Sequence, residues 1–214
     1  DNGNPKEKRN YKNGAYHGSL ELFYINGELR EKSNYVNGKK DGLSESYYDN
    51  GQLKQKLTYI QDIRNGLEET FFETGAIKQR VNYKNNIKDG IYENYKSSFD
   101  KSFLTEKIIY KSNQSVSRES YHWQEGKLRD RQTYLNGRRD GLYESYYANG
   151  QPKEKRNYKN GKETGSIELF YDNGQLKEKR SPTSVEKFYT SGQLSDKYLL
   201  GELVESYLEN GNPR

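Results

Sequence analysis

The chain has no cysteine and no methionine, and only one tryptophan, two histidines and four prolines in 214 residues. Without cysteine there is no disulfide framework and no thiol chemistry. Apolar residues are scarce, at 30% of the chain against a usual ~45–50% on a similar residue set. The mean hydropathy is -1.30, too low for a thick closed core, so disorder has to be weighed. No run approaches the ~18 apolar residues of a membrane-spanning helix. A charge excess of one sign is lacking too, because 36 basic residues stand against 31 acidic ones for a net +5. That balance argues against a nucleic-acid arm or a polybasic membrane tether. The chain opens at Asp1, in mid-unit and without Met, so an upstream segment such as a signal peptide is expected. A secreted, periplasmic or envelope location is therefore expected ahead of a cytoplasmic one.

What the chain does have is aromatic residues in a regular beat, 21 Tyr and 7 Phe. Turn glycines, most of them in Asn-Gly, recur every 24 residues, at Gly3, Gly27, Gly51 and Gly75, and again at Gly126, Gly150 and Gly174. A fixed period of this size marks a repeat array, in which each unit is one supersecondary element. Read as one repeat domain over 1–214, the chain divides into units 18–41, 42–65, 66–89, an irregular 90–116, 117–140, 141–164, a truncated 165–182 and a degenerate 183–201. Partial units 1–17 and 202–214 close the ends. A larger duplication is visible as well, since NGNPKEKRNYKNG (2–14) returns as NGQPKEKRNYKNG (149–161).

Asn-Gly between alternating apolar positions is a hairpin signal, because a type I′ turn needs positive φ at both central residues. A two-residue turn at Asn26-Gly27 sets Tyr24 opposite Leu29, Phe23 opposite Arg30 and Glu21 opposite Lys32. The same register opposes Glu45 to Lys56, Glu69 to Arg80, Glu144 to Lys155 and Glu168 to Lys179. Second turns at Asn37-Gly38, Asn136-Gly137 and Asn160-Gly161 carry the chain into the next hairpin. The expected fold is all-β: an elongated, twisted, single-layer antiparallel meander of repeated β-hairpins. Each unit advances it by roughly 10 Å. One face carries Tyr24, Leu29 and Tyr35 with their equivalents, and the other carries the Glu/Lys ladder with Phe23, Tyr47, Phe71 and Tyr146.

The pattern G-x-x-E-x-Y-Y-x-N-G-x-L-K followed by Y-x-N-G-K-x-x-G is cleanest in GLSESYYDNGQLKQKLTY (42–59) and GLYESYYANGQPKEKRNY (141–158). It resembles the bacterial variant class of MORN repeats, whose members are often described as antitoxin-like. The resemblance covers nearly the whole chain, departing from the pattern at 97–100 and 181–183. It implies a β-hairpin array that works in protein or membrane-surface association, with antitoxin or immunity roles for some relatives.

Three groups of residues are candidates for binding. The aromatic column Tyr24, Tyr48, Phe72, Trp123, Tyr147 and Tyr171 either ties the sheet together or forms a strip for a partner, where Tyr and Trp are favoured. His122 and Trp123 break its register. Two basic columns run through Lys32, Lys56, Arg80, Arg131 and Lys155, and through Arg30, Lys54, Lys78, Arg129 and Lys153. With aromatics nearby, such columns suit anionic lipid or single-stranded nucleic acid, unless the glutamates of the ladder neutralise them. Last, the irregular unit replaces Asn-Gly by Ser97-Ser98-Phe99-Asp100-Lys101. It is either a decayed repeat that bends the sheet or a binding loop carrying Phe99.

Catalysis finds no support. His17 and His122 lack metal-ligand spacing, repeated carboxylates make poor unique acids or bases, and no phosphate-cradling glycine loop is present. The glycines Gly27, Gly51, Gly75, Gly126, Gly150 and Gly174 belong to turns. The reading is a non-enzymatic protein-binding scaffold without a cofactor, for which a toxin or an envelope protein is the expected partner. The alternatives are a peripheral adaptor on anionic lipid and a structural spacer. Nucleic acid is not expected, and the oligomeric state is left open.

Overall fold

A computed structural model describes residues 6–99, 101–123 and 125–214. The expected turn at Gly3 and residue Asp100 of the irregular turn lie outside the described residues. Among the described residues there is no helix, and strands account for most of the chain. The chain forms two compact units, Asp1–Gln114 and Ser115–Arg214. The first holds β1 (Glu7–Lys12), β2 (Ala15–Phe23), β3 (Leu29–Val36), β4 (Lys39–Tyr47), β5 (Leu53–Ile60), β6 (Ile63–Arg64), β7 (Gly66–Phe71), β8 (Ile77–Lys84), β9 (Ile87–Ser98) and β10 (Lys101–Lys111). β11 (Gln114–Tyr121) opens at the boundary. The second unit continues with β12 (Leu128–Leu135), β13 (Arg138–Tyr146), β14 (Pro152–Lys159), β15 (Lys162–Phe170), β16 (Leu176–Arg180), β17 (Ser184–Phe188), β18 (Leu194–Leu199) and β19 (Glu202–Ser206).

In each unit the strands pair antiparallel with their sequence neighbours, as an open meander. Among the described residues only Leu57 and Val81 are buried hydrophobic side chains. That is what 30% apolar residues can supply: one layer, held by cross-strand pairs instead of a closed core.

The two sets of turns differ in kind, and this corrects one expectation. At Tyr24–Gly27 only Gly27 has positive φ, at 90°. Its N–H donates to the carbonyl of Tyr24, and the Tyr24 N–H donates to Glu28. This is a type I turn closed by a left-handed glycine and a bulge, not a type I′ turn. The bulge shifts the pairing, so Phe23 opposes Leu29 and Leu22 opposes Glu31. Leu29 therefore shares a face with Phe23, not with Tyr24. Beyond the bulge the expected pair Glu21 to Lys32 is present, because the extra residue absorbs the shift. Type I′ geometry belongs to the other set of turns, with φ of 51° and 84° at Asn37-Gly38 and 51° and 82° at Asn160-Gly161.

A third positive-φ glycine recurs inside the strands. Gly42 and Gly90, at φ 105° and 107°, stand where the ladder slips and an asparagine side chain lies across the glycine. A Cβ on Gly90 would meet Asn82 at 3.1 Å, so both conformation and space require glycine there.

Candidate functional site

Cross-strand register brings the charged residues into one continuous line in each unit. In the first it runs Lys8, Glu21, Lys32, Glu45, Lys56, Glu69, Arg80, Glu93, Lys107, each residue opposite the next. In the second it runs Glu119, Arg131, Glu144, Lys155, Glu168, Lys179, Glu186, Lys197, Glu205. The sign changes at every strand. Lys56 and Arg80 reach Glu69 from both sides, at 2.8 and 2.9 Å, and Lys32 meets Glu21 at 3.2 Å. Arg131 binds Glu144, and Lys155 approaches the same carboxylate at 3.9 Å. Burial works against the charge on Glu69, but hydrogen bonds from Lys56 and Arg80 outweigh it and hold the carboxyl below its ordinary value. The column Lys32, Lys56, Arg80, Arg131, Lys155 is therefore half of a neutral line, not a free basic strip.

The outer cations behave differently. Arg30 is exposed, and Arg129 pairs with Asp130 at 2.9 Å. Lys54 lies over Tyr48, Lys78 over Phe72, Lys153 over Tyr147 and Lys177 over Tyr171, with ammonium-to-ring distances of 5.4 to 5.9 Å. These exposed contacts are worth roughly 0.5–1 kcal/mol each.

Most of the aromatic column serves the sheet itself. The Tyr24 hydroxyl donates to the carbonyl of Tyr47, one repeat on, at 2.7 Å. Tyr48 donates to Phe71, Tyr147 to Phe170 and Tyr171 to Phe188, each at 2.8 Å. Burial, with Glu73 nearby, keeps the Tyr48 phenol above its ordinary pKa and so a donor. Phe72 holds the same place without a hydroxyl; in that repeat Ser102 donates to the carbonyl of Ile77 at 2.6 Å. Tip asparagines add a parallel ladder, as Asn26 and Asn50 donate to Asp49 and Glu73. Together these bonds stitch hairpin to hairpin along one edge.

In the unit of Trp123 the expected alignment is displaced by one residue. His122 takes the rib place: its Nε2 lies 3.2 Å from the carbonyl of Tyr146, and its backbone makes the turn bonds to Lys127 and Gly126. The turn holds one residue more than the others, which moves Trp123 into the tip, where it is half exposed. The six turn glycines, from Gly27 to Gly174, all have positive φ, between 66° and 91°.

Phe99 stands apart. β9 and β10 are 12 and 11 residues long, against at most 9 elsewhere, so their hairpin carries its tip farther from the charge line. Ser98 pairs with Lys101, and Phe99 lies in the connection between them. Its side chain is 92% exposed and its φ is 55°. An exposed ring gains nothing from packing, while a bulky residue in the left-handed region costs ~1–2 kcal/mol. Among the described residues no group of three or more His, Cys, Asp or Glu could hold a metal ion.

A second group escaped sequence reasoning: exposed aliphatics of the first unit, at Leu43, Leu67 and Ile91. Their signal was the residue after the strand glycine, aliphatic there and serine at Ser19 and Ser166.

A neutral line on the face, hydrogen-bonded ribs and stitched hairpin edges define an array of β-hairpin repeats. Segments 16–37, 40–61, 64–85, 139–160 and 163–181, together half of the chain, match the MORN repeat variant family. The chain belongs to that family. Its repeats are generally protein- or membrane-binding modules and typically non-catalytic. No curated protein matches the chain.

Proposed function

We propose that the chain is a non-catalytic scaffold that engages another protein through the tip of the β9–β10 hairpin, with Phe99 as the anchor. The observation that carries this reading is the phenyl ring held 92% exposed on a left-handed backbone. Strain kept where the free protein gains no packing is a mark of a functional position. Aromatic anchors that enter a partner's pocket dominate interface energies. The fitting partner therefore offers a ring-sized apolar pocket. The setting is that of an antitoxin facing its toxin, or of an envelope interaction protein.

A photo-crosslinking residue in place of Phe99, introduced in native cells, tests this. A covalent adduct with one protein is expected, and its identity separates toxin from envelope partner. Phe99→Ala should weaken capture of that protein by roughly tenfold or more, with Lys54→Ala changing it little.

The cations over the tip aromatics favour a second reading, an adaptor on anionic lipid. Binding would then fall steeply with salt. It would vanish on charge reversal at Lys54, Lys78 and Lys153 and ignore Phe99→Ala. Those results with anionic vesicles would replace the protein-partner reading.

A further inference from the structure

The first unit leaves a field of aliphatic side chains in solvent on the face of its charge line. Leu43, Leu67 and Ile91 sit two residues before the glutamates Glu45, Glu69 and Glu93, so alternation puts them on the same face as those charges. Ile60 opposes Ile63 beside one type I′ turn, and Val36 and Ile87 flank the turns on either side. All seven are between 36 and 51% exposed. Together they amount to roughly 500 Å², at the upper end of the ~300–600 Å² of the largest apolar patch on an ordinary monomer. In the second unit the corresponding strand places hold Ser117, Leu142 and Ser166, and of the turn flanks Leu135 is aliphatic while Arg138, Lys159 and Lys162 are charged.

We propose that this face is the docking surface for a second copy of the chain. The charge line beside the aliphatics decides the occupant. A covering surface must oppose a sign that changes at every strand, about every 4.8 Å. An anionic lipid surface would meet a carboxylate at every second place. The chain's own face meets the requirement. A twofold axis parallel to the strands and midway between two of them sets each glutamate of one copy against a lysine or arginine of the other.

The same operation offsets the aliphatics. Leu43, Leu67 and Ile91 stand on the strands that carry glutamate, whereas the intervening strands present Thr58 and Asn82 at that level, opposite Leu43 and Leu67. Each of these three side chains of one copy therefore enters a notch between two of the other. One such notch is a groove of about 310 Å³ lined by Leu67, Glu69, Arg80, Asn82, Ile91 and Glu93. A stable pair buries roughly 800 Å² per partner. The aliphatics supply more than half of that, and the charge line with Tyr47 and Tyr95 supplies the rest. This surface does not involve the Phe99 tip, and the proposal does not rest on that reading.

Light scattering on the full chain from roughly 1 to 100 µM tests it. The mass is expected to rise with concentration toward twice the 25.1 kDa of one chain. Leu67→Glu with Ile91→Glu should shift the midpoint upward by at least about tenfold, with the strand circular dichroism unchanged, because both side chains face solvent. Leu142→Glu in the second unit should leave the midpoint where it is. If the double variant loses its strand spectrum, Thr58→Arg takes its place, standing in the notch without removing an aliphatic. A wild-type mass that stays at one chain throughout overturns the proposal whatever the variants do. So does an equal effect from Leu142→Glu. Wild-type protein carried up by neutral phosphatidylcholine vesicles, with Leu67→Glu left behind, would assign the face to a membrane instead.

Discussion

Behind the charge line, at the centre of the opposite face, the first unit carries Ser33, Leu57, Val81 and Ile108. The second carries Gln132, Arg156 and Arg180 in the corresponding places. Both columns follow the line residue by residue, so the repeat treats them alike. The first builds a small apolar seam, with Val81 2% and Leu57 6% exposed. The second builds polar contacts: Arg156 binds Glu154 and reaches Glu163 at 2.7 Å, and Arg180 binds Glu178. One meander thus tolerates two ways of holding its middle, because its hydrogen-bonded ladder and turns are shared and only the side chains between them differ. Burial there rewards shape in the first unit, whereas partly exposed ion pairs contribute little in the second.

The sharpest way to break this comparison is through the glycines. Gly90→Val in the first unit combines a φ of 107° with Asn82 at 3.1 Å from the new Cβ. It should cost roughly 3 kcal/mol, whereas Gly165→Val, at φ 74° with open space around it, should cost about 1–2 kcal/mol of strain alone. Equal shifts in the denaturation midpoints would show that space at Gly90 is not limiting.

Leu57→Ala should cost about 2–3 kcal/mol by removing buried contacts, and Arg156→Ala no more than ~1 kcal/mol. A larger loss from Arg156 in chemical denaturation would overturn the contrast between seam and ion pairs.

Acid should loosen the first unit next. Burial opposes the charge on Glu31 and Glu69, yet Lys40, and Lys56 with Arg80, pull their carboxyls below the ordinary 4.5. A depressed carboxyl stabilises the fold above its ordinary value, and that contribution is lost as pH falls through the folded value. Hydrogen exchange from about pH 6 to about pH 3, corrected for intrinsic rates, should show the amides of β3–β8 losing protection, and Glu69→Gln should flatten that loss. Unchanged acid sensitivity in Glu69→Gln would remove the carboxylate from the explanation.

The smallest effect expected is at the ribs. Tyr48→Phe and Tyr147→Phe each delete one hydroxyl-to-carbonyl bond and should cost about 0.5–1.5 kcal/mol, to a similar extent in both units. Phe72 already lives without it.

Much of this was legible in the chain. The 24-residue beat, the hairpins and the opposition of Glu21 to Lys32 or Glu69 to Arg80 follow from turn chemistry and a period of two. The first turn type was not legible, since Asn-Gly serves equally in a type I′ turn and at the end of a type I turn with a bulge. That ambiguity misplaced Leu29, and an extra tip residue hid that His122, not Trp123, is the rib. Phe99 could be singled out only as an irregularity; its exposure and its φ are properties of the folded hairpin.

By itself, then, the sequence determined an antiparallel repeat sheet with alternating charge, because local turn geometry and side-chain alternation act within a few residues. Only the tertiary structure decided which cations are neutralised, which aromatics are spent on ribs and which apolar side chains remain in water. Those outcomes depend on neighbours one strand or one repeat away, set by bulges that the linear pattern does not reveal.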